Sequence, residues 1–208
     1  MTSAPGTAPD LARKRCWLFD MDGTLTRAMH DFDAMREALD LPPGMPILEA
    51  LDGMEPDTAA NKRRELDAME LRMASEASVQ PGCVALLERL VGAGASLAIV
   101  TRNGAEIARV TLEACGIGDF FPPETVISRD CCEPKPAPAG VRLALERLGG
   151  SADEAVMVGD YLFDLAAGRE AGVRTVHLDV DGGERWPDVT DLRVESLDEL
   201  HAIVERGA

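Results

Sequence analysis

Five short, largely apolar segments restrict the fold of this 208-residue chain more than any other feature. Helical patterns alternate with them, as in the segment CVALLERLVGAG that precedes SLAIV. Strands that are buried on both faces read as continuous apolar runs, and they belong to parallel sheets covered by helices. The pattern therefore predicts an α/β fold, a parallel sheet with helices on both faces. The predicted strands are CWLF (16–19), SLAIV (96–100), TVIS (125–128), AVMV (155–158) and VRTVHL (173–178).

Residues 26–80 break this alternation, because they contain helical patterns and no strand pattern. A helical segment inserted directly after the first strand lies at the carboxyl edge of the sheet, where open α/β sheets bind ligands. We therefore predict a small all-α cap at 26–80, an α/β core domain made of 15–25 and 81–208, and a disordered lead-in at 1–14.

Composition excludes several classes of partner. The formal net charge of −16 argues against a nucleic-acid partner and against an anionic membrane surface. No apolar run approaches the roughly 18 residues of a membrane span, and the first residues lack the apolar core of a secretory signal. The five cysteines match no metal-binding spacing, so reduced thiols in a cytoplasmic protein are expected. A monomer or homodimer is the default expectation. The vicinal Cys131 and Cys132 are either redox-active or ordinary thiols.

Two aspartates follow the first predicted strand directly, in the stretch CWLFDMDGTLT. Side chains alternate along a strand, so Asp20 and Asp22 point to the same side. Two like charges there repel each other and resist burial unless a cation or a reaction requires them. As a bland alternative, the pair forms a turn at the end of the strand.

Other predicted strands also end in polar or charged groups, and loops at these ends commonly carry function. All of these loops meet at one edge if the sheet is parallel, so we expect their side chains to converge with the two aspartates. The additional groups are Thr101, Arg102 and Asn103 after SLAIV, Lys135 in the EPKPAP loop after TVIS, and Asp160 and Asp164 after AVMV.

These residue types suit phosphoryl transfer. A carboxylate can attack phosphorus and divide a slow hydrolysis into two easier steps, and a second acid can protonate the leaving group. Mg²⁺ takes oxygen ligands and screens an anionic nucleophile from an anionic substrate. Lysine supplies a compact positive charge, and a hydroxyl with free amides at a helix N-terminus holds phosphate oxygens. Asn103 and Glu106 fit an N-cap and capping-box pair for a helix that begins near Gly104.

The motifs DMDGTLT, Thr101, Lys135 and GDYLFD, in this order, resemble those of the haloacid dehalogenase-like hydrolase superfamily. The resemblance extends from about Arg15 to Val204. It implies a Rossmann-like core, a short version of the superfamily's C1-type helical cap, and a Mg²⁺-dependent phosphatase of the phosphoglycolate phosphatase-like kind. The dehalogenase branch lacks an acid where Asp22 stands, so Asp22 favours phosphoryl transfer.

The resemblance also implies individual roles. Asp20 is the expected nucleophile and forms an aspartyl-phosphate, while Asp22 is the general acid and base and offers its backbone carbonyl to the metal. Lys135 neutralises charge around Asp20. The expected metal ligands are Asp20, Asp22, Asp160 and Asp164, where Asp164 either binds the ion or orients a bound water and Lys135. The expected catalytic and phosphate-binding residues are Thr101, Gly23, Thr24, Arg102 and Asn103.

Several positions keep two readings. Thr101 either binds phosphate or caps a helix, and Arg102 either reaches the phosphate or pairs with an acid. Lys62, Arg63 and Arg64 either steer an anionic substrate or form a solvated helix face, and His30 either lines the site or is structural. Asp160 and Asp164, four residues apart, would share a face of the first helical turns, where acids also stabilise a helix dipole.

Alternative functions come from different classes. A sugar-phosphate mutase shares every one of these residues and would depend on a bisphosphate activator. A signalling receiver would be stably phosphorylated without turnover, and a catalytically silent protein would bind Mg²⁺ and phosphate only. A small phosphorylated metabolite is the expected partner, with phosphoglycolate-like acids and sugar phosphates as first trials.

Overall fold

The computed structural model describes residues 11–28 and 32–207. Its centre is one sheet of six parallel strands in the order β3-β2-β1-β4-β5-β6, which confirms the predicted α/β fold. The sixth strand was not predicted, because three residues that include an arginine carry little strand signal. The strands are β1 (Cys16–Phe19), β2 (Ser96–Val100), β3 (Val126–Ile127), β4 (Ala155–Gly159), β5 (Arg174–Leu178) and β6 (Leu192–Val194).

Eight α-helices lie within the described residues, and their bounds follow the predicted patterns closely. Gly116 and Gly149 stop two of them in the left-handed conformation that glycine adopts without strain, with φ of 65° and 64°. The helices are α1 (Phe32–Ala38), α2 (Ile47–Asp52), α3 (Pro56–Ser75), α4 (Cys83–Gly92), α5 (Ala105–Cys115), α6 (Ala139–Leu148), α7 (Leu162–Ala171) and α8 (Leu197–Arg206).

The first strand shows why the sheet is covered on both faces. Trp17 and Phe19 are buried in one apolar cluster, which contains side chains of α4, α5 and α8. Cys16 and Leu18 are buried in a second cluster with side chains of α6 and α7. All four residues are inaccessible or nearly so, which accounts for the continuous apolar run in the sequence.

Helices α1, α2 and α3 form a separate small apolar cluster in the segment predicted as the cap. Leu39, Leu51 and Leu66 are among its most deeply buried members. The chain leaves the core and returns to it at one place, where Thr26 pairs with Val79 in an isolated antiparallel bridge. The three helices are thus an all-α unit inserted after β1, at the edge of the sheet where β1 ends.

Residues 11–14 of the predicted lead-in can be compared with the structure, whereas residues 1–10 lie outside the described residues. Leu11 is 4% exposed and packs in the same cluster as Trp17, so the segment just before Arg15 is not a disordered lead-in. His30 lies outside the described residues. Within 11–28 and 32–207, no helix is long and apolar enough to cross a membrane. All five cysteines are free, with Cys131 exposed.

Candidate active site

The central strands of the sheet bring the first and fourth predicted loops together. In the parallel pairing of β1 with β4, Phe19 lies beside Val158, so Asp20 and Asp160 emerge next to each other. The amide of Asp20 donates to the carbonyl of Val158 at 2.9 Å, which extends the pairing to the aspartate itself. The convergence therefore follows from the strand register.

Lys135 reaches this pair of loops from the segment after β3. Its Nζ lies 2.5 Å from Asp20 Oδ1 and 2.6 Å from Asp164 Oδ1, and all three side chains are buried. Burial alone would lower the pKa of Lys135, but Asp164 and Asp20 raise it overall. The amine is therefore held as a cation between two carboxylates.

Two glycines make room for the acids of the fourth loop. Gly23 has a φ of 84°, and a Cβ there would lie 2.4 Å from Asp160 Oδ2. A Cβ on Gly159 would lie 2.2 Å from the Cβ of Asp164. Thr24, which is completely buried, donates its hydroxyl to Asp160 Oδ1 at 3.0 Å. The glycine of DMDGTLT thus permits close approach of an acid as well as an unusual turn.

Asp160 and Asp164 do not share helical turns in the way their spacing suggested. Helix α7 begins at Leu162, so Asp160 precedes the helix and Asp164 belongs to its first turn. Asp164 Oδ2 accepts from the amide of Tyr161 at 3.0 Å, which closes a capping box. The two acids converge because the strand end and the helix start face the same point.

The three acids can hold a cation. Asp20, Asp160 and Asp164 each offer an oxygen, and these oxygens lie within 4.8 Å of one another. Burial, followed by the charges of Asp20 and Asp164, raises the pKa of Asp160 to about 8. Burial raises the pKa of Asp164 to about 6, although Lys135 lowers it in part. Such crowding of buried oxygen ligands suits a hard divalent cation, which would relieve it.

Asp22 has an environment of its own. Its Oδ2 accepts from Asn103 Nδ2 at 2.7 Å. Burial raises the pKa of Asp22 to about 6, while the hydrogen bond from Asn103 lowers it in part. Its side chain lies outside the three-acid group, whereas the sequence prediction placed its backbone carbonyl on the metal. An acid with a pKa near neutrality can both give and take a proton.

The predicted capping box after β2 is wrong. Helix α5 begins at Ala105 with Gly104 as its N-cap, and the side chain of Asn103 turns to Asp22 instead. The amide of Ala105 donates to Asp130 Oδ2 at 2.7 Å, so a distant carboxylate satisfies this helix end. Glu106 accepts from Arg109 on the same helix.

Thr101 and Arg102 lie at the end of β2, beside the acids. Thr101 is buried, and its hydroxyl accepts from the amide of Asn103 at 3.1 Å. Arg102 pairs with Glu49 of α2, with both carboxylate oxygens at 2.8–2.9 Å from NH2. It also donates to the carbonyl of Lys135, and its guanidinium lies 4.9 Å from the centre of the Phe163 ring. Of its two predicted readings, the structure shows pairing with an acid, and this acid belongs to the cap.

A cavity of about 380 Å³ lies between these loops and the cap helices. Its core wall contains every predicted site residue except Gly23 and Thr24, together with Arg129, Tyr161 and Phe163. Its cap wall is largely apolar. The cap residues that line it are Phe32, Arg36, Gly44, Pro46, Ile47, Leu48, Leu66 and Glu70.

Sequence reasoning missed Arg129 and its partner Glu70. Arg129 NH2 lies 3.0 Å from Glu70 Oε2, and the side chains are 12% and 9% exposed. Arg129 also pairs with Asp67 of α3 at 2.6 Å and donates to the carbonyl of Arg102 at 3.1 Å. Because Arg129 directly follows TVIS, the inspection of strand ends could have found it. Glu70 carried no such signal among the many acids of α3.

The cap cations that the sequence singled out are engaged locally. Lys62 donates to the carbonyl of Leu39, and Arg63 pairs with Asp52. Arg64 donates to the side chain of Asn61, within the same helix. These local contacts favour the prediction of a solvated helix face over that of substrate steering.

Comparisons with known proteins give a consistent picture. The family model described as haloacid dehalogenase-like hydrolase matches residues 33–178. The chain is 34% identical over 174 residues to the pyrophosphatase PpaX of Bacillus velezensis, covering 76% of this chain and 80% of that protein. It is 33% identical over 187 residues to a phosphoglycolate phosphatase of Rhodospirillum rubrum, covering 76% and 77%.

Solved structures share the fold at lower sequence identity. A hydrolase from Pseudomonas syringae superposes with a TM-score of 0.76 at 23% identity, covering 93% of this chain and 98% of that one. CbbY from Rhodobacter sphaeroides, solved in complex with phosphate, superposes with a TM-score of 0.72, also at 23% identity, covering 92% and 99%.

Proposed function

Because this chain belongs to the haloacid dehalogenase-like hydrolase family, we propose that it hydrolyses a small phosphomonoester metabolite with the help of Mg²⁺. It is a hydrolase of phosphoric monoester bonds, as the phosphoglycolate phosphatases among its relatives indicate. The proposal adds to this the cation, the covalent intermediate on Asp20 and the roles of individual residues.

One observation carries the proposal. Lys135 lies between Asp20 and Asp164 at 2.5 and 2.6 Å, and both acids belong to the group whose oxygens could share a cation. A buried lysine that holds a carboxylate ionised beside a cation site is what an anionic nucleophile needs when it attacks an anionic phosphate. Asp20, Asp160 and Asp164 would hold Mg²⁺, with the backbone carbonyl of Asp22 as a further ligand. The ion would screen the charge between nucleophile and phosphate.

In the first step, a carboxylate oxygen of Asp20 attacks phosphorus, and the bond from phosphorus to the ester oxygen breaks. Asp22 gives its proton to the departing oxygen, which leaves as an alcohol. The proton is available because the pKa of Asp22 is raised to about 6 by burial. The products of this step are the free alcohol and an aspartyl-phosphate on Asp20.

In the second step, water attacks the phosphorus of the aspartyl-phosphate, and Asp22 takes the proton from the water. The bond between phosphorus and Asp20 breaks, which releases inorganic phosphate and restores both carboxyl groups. Asn103 holds Asp22 in place through its 2.7 Å hydrogen bond. Thr101, Asn103 and the backbone near Gly23 and Thr24 are proposed to surround the phosphate, whereas Arg102 is paired with Glu49.

The test is the release of phosphate from a chromogenic aryl phosphate, measured with Mg²⁺ and with EDTA. We expect Asp20→Asn to lower kcat by more than about a thousandfold, because the amide cannot attack phosphorus. Asp188→Asn, which changes an exposed aspartate, should leave kcat unchanged. Turnover that persists in Asp20→Asn, or that is the same in EDTA, would contradict the proposal.

A further inference from the structure

The arginines that line the cavity are all committed to carboxylates of the cap. Among the described residues, these arginines are Arg36, Arg102 and Arg129. Each would ordinarily attract an anionic group of a ligand, since a guanidinium pairs well with carboxylate and phosphate. Their existing partners therefore decide which leaving groups the cavity accepts.

Arg102 is neutralised by Glu49. Both oxygens of Glu49 lie within 2.9 Å of the same guanidinium nitrogen. The other terminal nitrogen of the guanidinium, NH1, donates to the carbonyl of Lys135, and the ring of Phe163 also contacts the group. A second anionic group on a substrate would have to displace Glu49 in order to pair with Arg102.

Arg129 is neutralised more completely. Its guanidinium contacts Glu70 and Asp67, both on α3, at 3.0 and 2.6 Å. Glu70 itself lines the cavity and is only 8% exposed. The wall at this point offers a buried carboxylate and its counterion, so an incoming anion would face Glu70 at close range.

Arg36 is held by Asp33 at 2.6 Å, and its NH1 donates to the carbonyl of Met45 at 3.5 Å. Its Nε is shielded from solvent and has no partner among the described residues. Asp33 is largely exposed, so this pair is the weakest of the three. Arg36 is therefore tested by a variant of its own.

The rest of the wall is apolar. Pro46, Ile47, Leu48 and Leu66 of the cap face Phe163 of the core across the cavity. An uncharged carbon skeleton loses no hydrogen bonds against such a surface, whereas a carboxylate or a second phosphate loses its hydration without gaining a free cation.

We propose that the cavity selects phosphomonoesters with an uncharged, largely apolar leaving group, and that Glu49 and Glu70 impose this selection by neutralising Arg102 and Arg129. The inference rests on the proposed phosphatase function and specifies its substrate class. It sets this chain apart from relatives that are named for pyrophosphate and phosphoglycolate, both of which carry a second anionic group.

Pairs of substrates that differ by one carboxylate test the inference. Ethyl phosphate is compared with phosphoglycolate, and phenyl phosphate with 4-carboxyphenyl phosphate, by kcat/KM for phosphate release. In each pair we expect the uncharged member to be preferred by at least about tenfold, since like charges at short range cost 1.4 kcal/mol or more, the equivalent of tenfold. A preference for either carboxylated member would overturn the inference, while the enzyme's turnover would still support the proposed function.

Variants locate the cause of the preference. Glu49→Gln and Glu70→Gln keep the shape of the side chain and remove its charge, so each should shift the ratio toward the carboxylated substrate by at least about threefold. Asp52→Asn removes a carboxylate that pairs with Arg63 within the cap, and it should leave the ratio unchanged. Glu49 is partly exposed, so its variant stays informative if Glu70→Gln fails to fold.

Two results would contradict the assignment to Glu49 and Glu70. The first is a ratio that stays constant in both glutamine variants of an active enzyme. The second is a wild-type preference for carboxylated substrates that disappears in Arg36→Met, which would make Arg36 the recognition residue. Failure to hydrolyse any phosphomonoester, including the chromogenic one, would instead refute the proposed function.

Discussion

The two ends of the cavity handle charge in opposite ways. At the core end, Lys135 contacts Asp20 and Asp164, Asp22 and Asp160 line the same cavity, and burial raises the pKa of all four aspartates. At the end toward the cap, the lining arginines each have a carboxylate partner on a cap helix within 3.0 Å, although Arg102 and Arg129 themselves belong to the core. One end has buried carboxylates in excess over its single lysine, whereas at the other end every lining arginine is paired with a carboxylate. In the proposed function, the core loops provide the chemistry and the carboxylates of the cap select among substrates.

The strongest way to break this comparison is to remove the single lysine of the core end. Lys135→Ala leaves Asp20 and Asp164 buried without their shared cation, so activity should fall by more than about a hundredfold. In EDTA at pH 8, the free energy of unfolding should fall by about 3–5 kcal/mol, the usual cost of breaking a buried pair. Urea denaturation measures it, with Arg109→Ala as a control that breaks exposed ion pairs and should cost less than about 1 kcal/mol. A fully stable Lys135→Ala protein would mean that the excess charge is unimportant.

Mg²⁺ should sharpen the comparison, because it acts on the core end alone. An acid whose pKa is raised by folding stabilises the folded state while it is protonated, and this stability is lost as the pH rises through the folded pKa. The ordinary pKa of an aspartate is about 4, and folding raises it to about 6 in Asp164 and about 8 in Asp160, so the metal-free protein should lose stability as the pH rises from about 4 to about 8. Saturation with Mg²⁺ at about 100 times its Kd should add about 2.7 kcal/mol at the upper end.

The measurement is a series of urea denaturations across this pH interval, with EDTA and with Mg²⁺. Asp160→Asn serves as the matched variant, and it should lose most of both the pH dependence and the stabilisation by Mg²⁺. Stability that rises with pH in EDTA would show that the sign of the effect has been assigned incorrectly.

The smallest effects should come from ion pairs that join cap and core. Glu70→Ala removes the buried one of the two carboxylates that pair with the largely buried Arg129, so we expect a loss of about 1–3 kcal/mol. Glu49→Ala breaks a more exposed pair, and it should cost less than about 1 kcal/mol. Urea denaturation of both variants under one condition gives the comparison. A larger loss for Glu49→Ala would reverse the order that burial predicts.

The sequence was sufficient for most of the fold because the core strands are buried on both faces. Apolar runs such as SLAIV predict buried strands, and Gly116 and Gly149 predict the ends of two helices. The edge strand β6 was missed because its central residue, Arg193, is partly exposed and pairs with Asp179. The strand therefore lacks a continuous apolar run. The buried position of Leu11 was also missed, since one leucine in a polar segment carries no periodicity.

Some residues of the candidate site could be placed from sequence, and others could not. Residues at strand ends could be placed from sequence because a parallel sheet brings its carboxyl ends to one edge, and Asp20, Lys135 and Asp164 do lie in contact there. Their catalytic roles stay predictions. The partners of Arg102 and Arg129 could not be foreseen, because they depend on how the cap helices are oriented, and single-sequence patterns do not report this orientation.

The paired strands at the base of the cap have an evolutionary consequence. Arg27 donates its amide to Ser78, and Gln80 donates to Leu25, each at 2.9 Å, so the inserted segment starts and finishes at neighbouring points. An insertion with adjoining ends can be lengthened, shortened or exchanged without shifting the scaffold that carries it. Natural variation and protein engineering can therefore replace the cap as one unit and retain the aspartates at the ends of the core strands.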